Sequence, residues 1–103
     1  MASPRGLLEA AFADHRRGDR ARAARKYRQV LRAQPGNPDA LYLFGMLCLE
    51  EGKAEEAARS LERAVAAAAK AGRAVDPGWR LALGSARQRL GEHERALAEF
   101  DAV

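Results

Sequence analysis

The sequence predicts an all-α fold in which three antiparallel helix pairs stack side by side. Three observations predict it: a polar residue followed by proline, a glycine fifteen residues after the polar residue, and an alanine five residues after the glycine. The residues are Ser3-Pro4, Gly18 and Ala23, then Asn37-Pro38, Gly52 and Ala57, and finally Asp76-Pro77, Gly91 and Ala96. The copies begin 34 and then 39 residues apart, so the middle copy carries five additional residues. Repetition at this period is typical of stacked helical units.

The first helix of each pair is predicted to begin at the polar residue and proline. A Ser, Asn or Asp side chain accepts a hydrogen bond from a first-turn amide that has no partner within the helix. Proline fits the first helical position, because the amide hydrogen that it lacks would have had no partner there. The glycine can adopt the left-handed conformation that ends a helix.

The second helix of each pair is predicted to pack through a face that begins at the repeated alanine. Four residues after that alanine comes a large side chain, which is Tyr27, Leu61 or Phe100. Residues four apart share one face of a helix. The alanine allows the first helix to approach closely, and the larger side chain fills the space beside it.

These signals place helices at 4–17, 20–34, 38–51, 54–71, 77–90 and 93–102, within one domain over residues 1–103. The repeats cover approximately 4–37, 38–76 and 77–103, and the last is incomplete. The five additional residues fall within 66–76, where an alanine run predicts that the fourth helix is extended by about one and a half turns before Gly72 ends it. A flexible loop is the alternative for this segment.

Composition and charge narrow the possible functions. The chain carries a net charge of +4, but residues 1–34 hold nine of the 18 Lys and Arg against three acidic residues, so the basic character is local. Cys48 is the only cysteine, which excludes an internal disulfide, and its apolar neighbours predict a buried side chain. The apolar run 41–49 has nine residues, about half of the ~20 that cross a bilayer. Since no targeting segment is recognisable, we expect a cytoplasmic protein without membrane contact.

The repeated unit resembles the tetratricopeptide repeat, a 34-residue helix-turn-helix unit. The middle unit carries the resemblance most fully, through Leu41, Phe44, Gly45, Gly52, Ala57, Leu61 and Ala64. The resemblance implies a right-handed α-solenoid of three helix pairs whose first helices line a concave groove. It also implies a protein-protein interaction module that binds a peptide or partner protein in that groove.

The positions that would line the groove follow from this resemblance. They are Arg5, Leu8, Glu9, Phe12, His15 and Arg16 in the first unit, Asp39, Tyr42, Leu43, Met46, Leu49 and Glu50 in the second, and Ser85, Gln88 and Arg89 in the third, with Leu81 nearby. Phe12, Tyr42 and Met46 are expected to face the groove rather than to pack between units. Leu49 could belong to the groove or to the core.

Two alternatives concern the context of the chain. It stops within the predicted second helix of the third pair, so its open end is expected to continue into a longer protein or to self-associate. The resemblance allows an accessory N-terminal segment of a larger enzyme, of the glycosyl- or sulfotransferase kind.

Nucleic-acid binding through the Arg-rich second helix is a weaker alternative, since Tyr27 belongs to the packing face and the later units are acidic.

No residue pattern indicates catalysis, a cofactor or a metal. The sequence has no glycine-rich phosphate loop and no nucleophile beside a base. His15 has no partner at metal-ligand spacing and is expected to lie near the negative end of its helix dipole. Trp79, close to the additional residues, is expected to pack on the lengthened fourth helix. We therefore expect a binding protein and not an enzyme.

Overall fold

Five α-helices account for most of the chain in the computed structural model, which describes residues 3–101, with side chains through Glu92 and that of Glu94. The helices are α1 Pro4–Arg16, α2 Arg20–Ala33, α3 Pro38–Glu50, α4 Ala54–Lys70 and α5 Pro77–Asp101. No strand occurs within residues 3–101. The all-α prediction is therefore confirmed, and the first four predicted helices agree with the observed ones to within a residue.

The predicted helix starts are made by the polar side chains. Ser3 Oγ accepts from the Gly6 amide at 3.1 Å, and Asn37 Oδ1 accepts from the Ala40 amide at 3.1 Å. Asp76 Oδ1 accepts from the Gly78 amide at 2.7 Å. These bonds satisfy first-turn donors that the helices leave without partners.

Glycine ends three of the helices in the left-handed conformation. Gly18, Gly52 and Gly72 have φ of 85°, 76° and 74°. The first two reverse the chain between α1 and α2 and between α3 and α4. The third follows an α4 of 17 residues, against 14 in α2. The fourth helix is therefore extended as predicted, but by just under one turn and not by about one and a half.

The prediction of a sixth helix is wrong. Residues 77–90 and 93–101 form one continuous helix, α5, and Gly91 does not have the positive φ of the other turn glycines. A single glycine costs a helix about 1 kcal/mol, which is too little to end it when Leu90, Glu92 and Glu94 all favour helix. Glu92 follows Gly91 as Asp19 follows Gly18. Asp19 Oδ1 caps the first turn of α2 by accepting from the Arg22 amide at 3.2 Å. The third unit is thus a long helix and not a hairpin.

The core lies on the faces that the repeated alanines predict. Ala23 and Tyr27 on α2, and Ala57 and Leu61 on α4, are fully buried. Gly45 on α3 lies directly against Leu61, since a Cβ on this glycine would come within 2.8 Å of Leu61 Cγ. The equivalent face of the third unit, at Ala96 and Phe100, lies outside the described side chains.

Cys48 is buried within the core, as its neighbours predict. Burial, followed by the nearby Glu56 carboxylate, raises the pKa of the thiol to about 11. The thiol therefore stays protonated at neutral pH and behaves as a small apolar side chain. In the part of the chain that the structure describes, no helix combines the length and apolar character needed to span a membrane.

Candidate partner-binding groove

A cleft of about 570 Å³ separates α1 from α3. We call it the α1–α3 groove. Its lining is Phe12, His15 and Arg16 of α1, Gly18 and Arg20 at the following turn, and Tyr42, Leu43, Met46 and Glu50 of α3.

Helix periodicity explains why these side chains face the groove. Ala11 and Asp14 are the buried residues of α1, so Phe12 and Arg16, one turn apart, point away from the core. On α3, Leu41 and Gly45 face the interior. Because each of α1 and α3 buries one face in the core, a different face of each helix is left to line the groove.

Apolar side chains form the floor of the groove. The Phe12 side chain is 41% exposed. In the described part of the chain, Phe12 and Leu81 are the two exposed large apolar residues. Tyr42, Leu43 and Met46 are partly buried beside it. An exposed apolar strip of this kind gains free energy when a partner covers it, at about 25 cal/mol per Å².

A chain of hydrogen bonds closes one end of the groove. His15 Nδ1 lies 3.0 Å from the Tyr27 hydroxyl, and His15 Nε2 lies 2.8 Å from Glu50 Oε2. Arg20 Nε approaches the same Glu50 oxygen at 3.5 Å. The sequence placed His15 at the end of a helix dipole; the structure adds a bridge between the two units that sequence reasoning missed.

Charge in the groove is positive at the edge beside Phe12. The Arg16 guanidinium lies 5.9 Å from the centre of the Phe12 ring, which is a favourable cation–π distance. Arg20 was not predicted to line the groove, because it lies in the turn and not on the first helix. Glu50 is the one acidic side chain in the lining, and it is engaged by His15 and Arg20.

An aromatic pair extends the groove wall toward α5. The rings of Tyr42 and Trp79 are stacked, with centroids 4.7 Å apart and planes 10° apart. Trp79 was expected to pack on α4, and this stacking on α3 was missed. Burial, and then the Asp76 carboxylate, raises the pKa of Tyr42, while Arg73 lies 5.8 Å from the centre of the Trp79 ring.

Other predicted groove positions lie elsewhere. Leu49 is only 8% exposed and belongs to the core cluster of α3, α4 and α5, so its assignment to the groove is wrong; the approach of α5 covers it. Arg89 donates to the Leu49 carbonyl at 2.9 Å and lines a separate depression beside the turn at Gly52. Arg5 and Glu9 are exposed and form an ion pair with each other, with 3.7 Å between Arg5 Nε and Glu9 Oε1.

The remaining predicted positions do not line the α1–α3 groove either. Leu8 is partly buried against the core of the first unit, and Ser85 and Gln88 are exposed on α5. The structure therefore brings together seven members of the predicted set, which are Phe12, His15, Arg16, Tyr42, Leu43, Met46 and Glu50.

The lining offers no assembled metal site. Within the described residues, no three His, Cys, Asp or Glu side chains are grouped so as to hold a metal ion. The hydrogen bonds of His15 engage both of its ring nitrogens. The arrangement is suited to covering a partner's side chains and pairing with its charges.

Comparison with known proteins identifies the family. The family model described as tetratricopeptide repeat matches residues 14–76, which is more than half of the chain. The chain therefore belongs to the tetratricopeptide repeat family, whose members generally mediate protein-protein interactions and typically lack enzymatic activity. No curated protein matches the chain.

Proposed function

We propose that this chain is an interaction module that binds a peptide or a segment of a partner protein in the α1–α3 groove. The observation that carries the proposal is the apolar strip of Phe12, Tyr42 and Met46 that lines the cleft between α1 and α3. A partner would insert apolar side chains over this strip, since buried aromatic anchors supply most of the binding energy at protein interfaces. Arg16 at the rim would pair with an acidic group of the same partner and fix its orientation.

Peptide selection followed by substitution tests this proposal. Peptides selected from a random displayed library on the intact chain would be measured against Phe12→Ala and Met46→Ala by isothermal titration calorimetry. We expect each variant to weaken binding by about tenfold, which corresponds to about 1.4 kcal/mol.

Leu81→Ala is the matched control. Leu81 is the other large exposed apolar residue of the described chain, at 73%, and it does not line the α1–α3 groove. Loss of binding in the two groove variants but not in this control supports the proposal. Peptides that bind Phe12→Ala and Met46→Ala as tightly as the original chain would show that another surface is used.

A further inference from the structure

A second groove lies between α2 and α4 and has a different chemistry. Its volume is about 310 Å³, and we call it the α2–α4 groove. Its lining is Arg28 and Leu31 of α2, Leu41 and Phe44 of α3, and Glu56, Arg59, Ser60 and Arg63 of α4. None of these residues lines the α1–α3 groove.

The two grooves lie on opposite sides of α3. Successive residues of an α-helix are rotated by about 100°, so Leu41 and Phe44 point roughly opposite to Tyr42 and Met46. A ligand in the α2–α4 groove therefore leaves the α1–α3 groove free. The two sites can be tested separately.

Three arginines stand along the walls, and intramolecular contacts hold them in place. The Arg28 guanidinium lies 5.3 Å from the centre of the Phe44 ring. Arg63 Nη2 donates to the Pro35 carbonyl at 3.2 Å. Arg59 Nη2 lies 3.7 Å from Glu55 Oε1. Among the described side chains, Arg28 and Arg63 make no ion pair with a carboxylate.

The positive charge continues along α2 beyond the groove. Arg25 and Arg32 are exposed and lie three residues before and four residues after Arg28, so the three share one stripe of the helix. Glu56 is the one acidic residue in the lining. The groove thus presents a surplus of fixed cations beside partly buried apolar side chains.

We propose that the α2–α4 groove binds an acidic peptide segment that also carries apolar side chains. Its carboxylates would pair with Arg28, Arg59 and Arg63, since guanidinium groups match carboxylates in charge and in planar geometry. Its apolar side chains would rest against the partly buried Leu31 and Phe44. This site is separate from the one proposed above and does not depend on it.

The same features favour an acidic peptide over a nucleic acid. Single-stranded nucleic acids need free aromatic faces for base stacking and a continuous positive track. Phe44 is the one aromatic residue in the lining, and Arg28 already covers its face. Glu55, Glu56 and Glu62 interrupt the positive charge along α4.

Fluorescence anisotropy with a labelled short peptide of alternating Glu and Leu tests the proposal. The comparison probes are the same peptide with Gln in place of Glu, and a short oligothymidylate. The double variant Arg28→Gln/Arg59→Gln is expected to bind the acidic peptide about tenfold more weakly. The control Arg17→Gln/Arg80→Gln removes two charges from exposed positions outside the groove and is expected to bind nearly as tightly as the original chain.

A variant with the opposite effect separates the proposal from simple misfolding. Glu56→Gln removes the one carboxylate of the lining and is expected to tighten binding about threefold, because the Glu56 carboxylate repels the carboxylates of the peptide. A damaged fold could not produce this gain. Circular dichroism of every variant would confirm the helical content.

Several results would overturn the proposal. They are the absence of acidic-peptide binding at about millimolar concentration, equal losses in the two double variants, and equal binding of the Gln-containing peptide. Tighter binding of oligothymidylate through the same arginines would assign the groove to nucleic acid instead.

Discussion

His15 of α1 and Glu50 of α3 are hydrogen-bonded across the boundary between the two repeats, with 2.8 Å between Nε2 and Oε2. Because a carboxylate only accepts, Nε2 must carry the proton. In the neutral imidazole, Nδ1 then accepts from the Tyr27 hydroxyl at 3.0 Å. Burial, and then Glu50, raises the pKa of Tyr27 above its usual range, so the tyrosine keeps the proton that it donates. One imidazole thus links three helices at the end of the α1–α3 groove.

A double-mutant cycle would measure this link. His15→Ala, Glu50→Ala and the double variant should reveal a coupling of about 0.5–1 kcal/mol in the free energy of unfolding, since a partly exposed hydrogen-bonded pair contributes on this scale. Urea unfolding gives the four free energies. Arg5→Ala and Glu9→Ala provide a control cycle on an exposed pair within one helix, for which we expect no more than about 0.5 kcal/mol. Strictly additive effects at His15 and Glu50 would contradict the inference that this contact holds the units together.

Two glycines inside helices should respond oppositely to alanine. At Gly45 an added Cβ would lie 2.8 Å from Leu61 Cγ and 2.9 Å from Leu61 Cδ2, and Leu61 is fully buried. Overpacking of this kind costs about 1–3 kcal/mol. Gly84 in α5 has no neighbour within 4 Å of the same added atom, so Gly84→Ala should stabilise the chain by about 0.5–1 kcal/mol. Chemical denaturation of both variants tests the contrast, and a stabilised Gly45→Ala would show that α3 and α4 are less closely packed than described.

The ion pair of Asp14 and Lys26 should appear in the acid stability of the chain. The side-chain hydrogen bond from Lys26, 2.5 Å long, lowers the pKa of Asp14 despite the opposing effect of burial. A carboxyl group with a lowered folded pKa contributes stability above its unfolded pKa of about 3.9, and this contribution is lost as the pH falls through the folded value. Asp14→Asn should therefore flatten the decrease in the free energy of unfolding below about pH 4.

Lys26→Met serves as the companion variant for that measurement. It removes the main cause of the lowered pKa of Asp14 while leaving Asp14 in place. It should therefore flatten the same decrease in the free energy of unfolding at acid pH. Urea titrations at a series of acid pH values give both curves. If the free energy of unfolding decreases as steeply with falling pH in both variants as in the original chain, other carboxylates determine the acid stability.

The two hairpins could be predicted because local signals and packing agree there. The caps at Ser3 and Asn37 and the positive φ of Gly18 and Gly52 are encoded by single residues. The repeated alanines identified the buried faces for the same reason, since a small residue at fixed spacing is required by close helix packing. The direction in which Phe12 and Met46 point then follows from the faces that are buried.

What the sequence left undetermined is either a glycine whose conformation its neighbours decide or a contact between distant residues. Gly91 matches Gly18 and Gly52 in position, yet α5 continues through it, because glycine permits a turn without imposing one. The bridge from His15 to Glu50 and the stack of Tyr42 on Trp79 join residues more than 30 positions apart, and no periodicity signals such pairs. Leu49 was ambiguous because only the position of α5 decides whether it is covered.

The stack of Tyr42 and Trp79 should stabilise the attachment of α5. Offset aromatic stacking contributes about 0.5–1.5 kcal/mol beyond the area that it buries, so Trp79→Ala should lower the free energy of unfolding by more than this amount. Trp79→Phe keeps a ring over Tyr42 and should recover part of the loss. Unfolding followed by circular dichroism measures both variants, and equal losses in the two would show that the stack contributes little.

The same pair should report which groove a ligand occupies. Trp79 is the only tryptophan of the chain, and its stacking partner Tyr42 lines the α1–α3 groove but not the α2–α4 groove. A peptide that binds over Phe12 and Met46 should therefore change the intensity or wavelength of tryptophan emission, because it alters the environment of Tyr42. The acidic peptide in the α2–α4 groove should leave the emission unchanged. Tyr42→Ala separates a direct effect from a remote one: a selected peptide that still binds this variant should no longer shift its emission, and an undiminished shift would place the bound peptide against Trp79 itself.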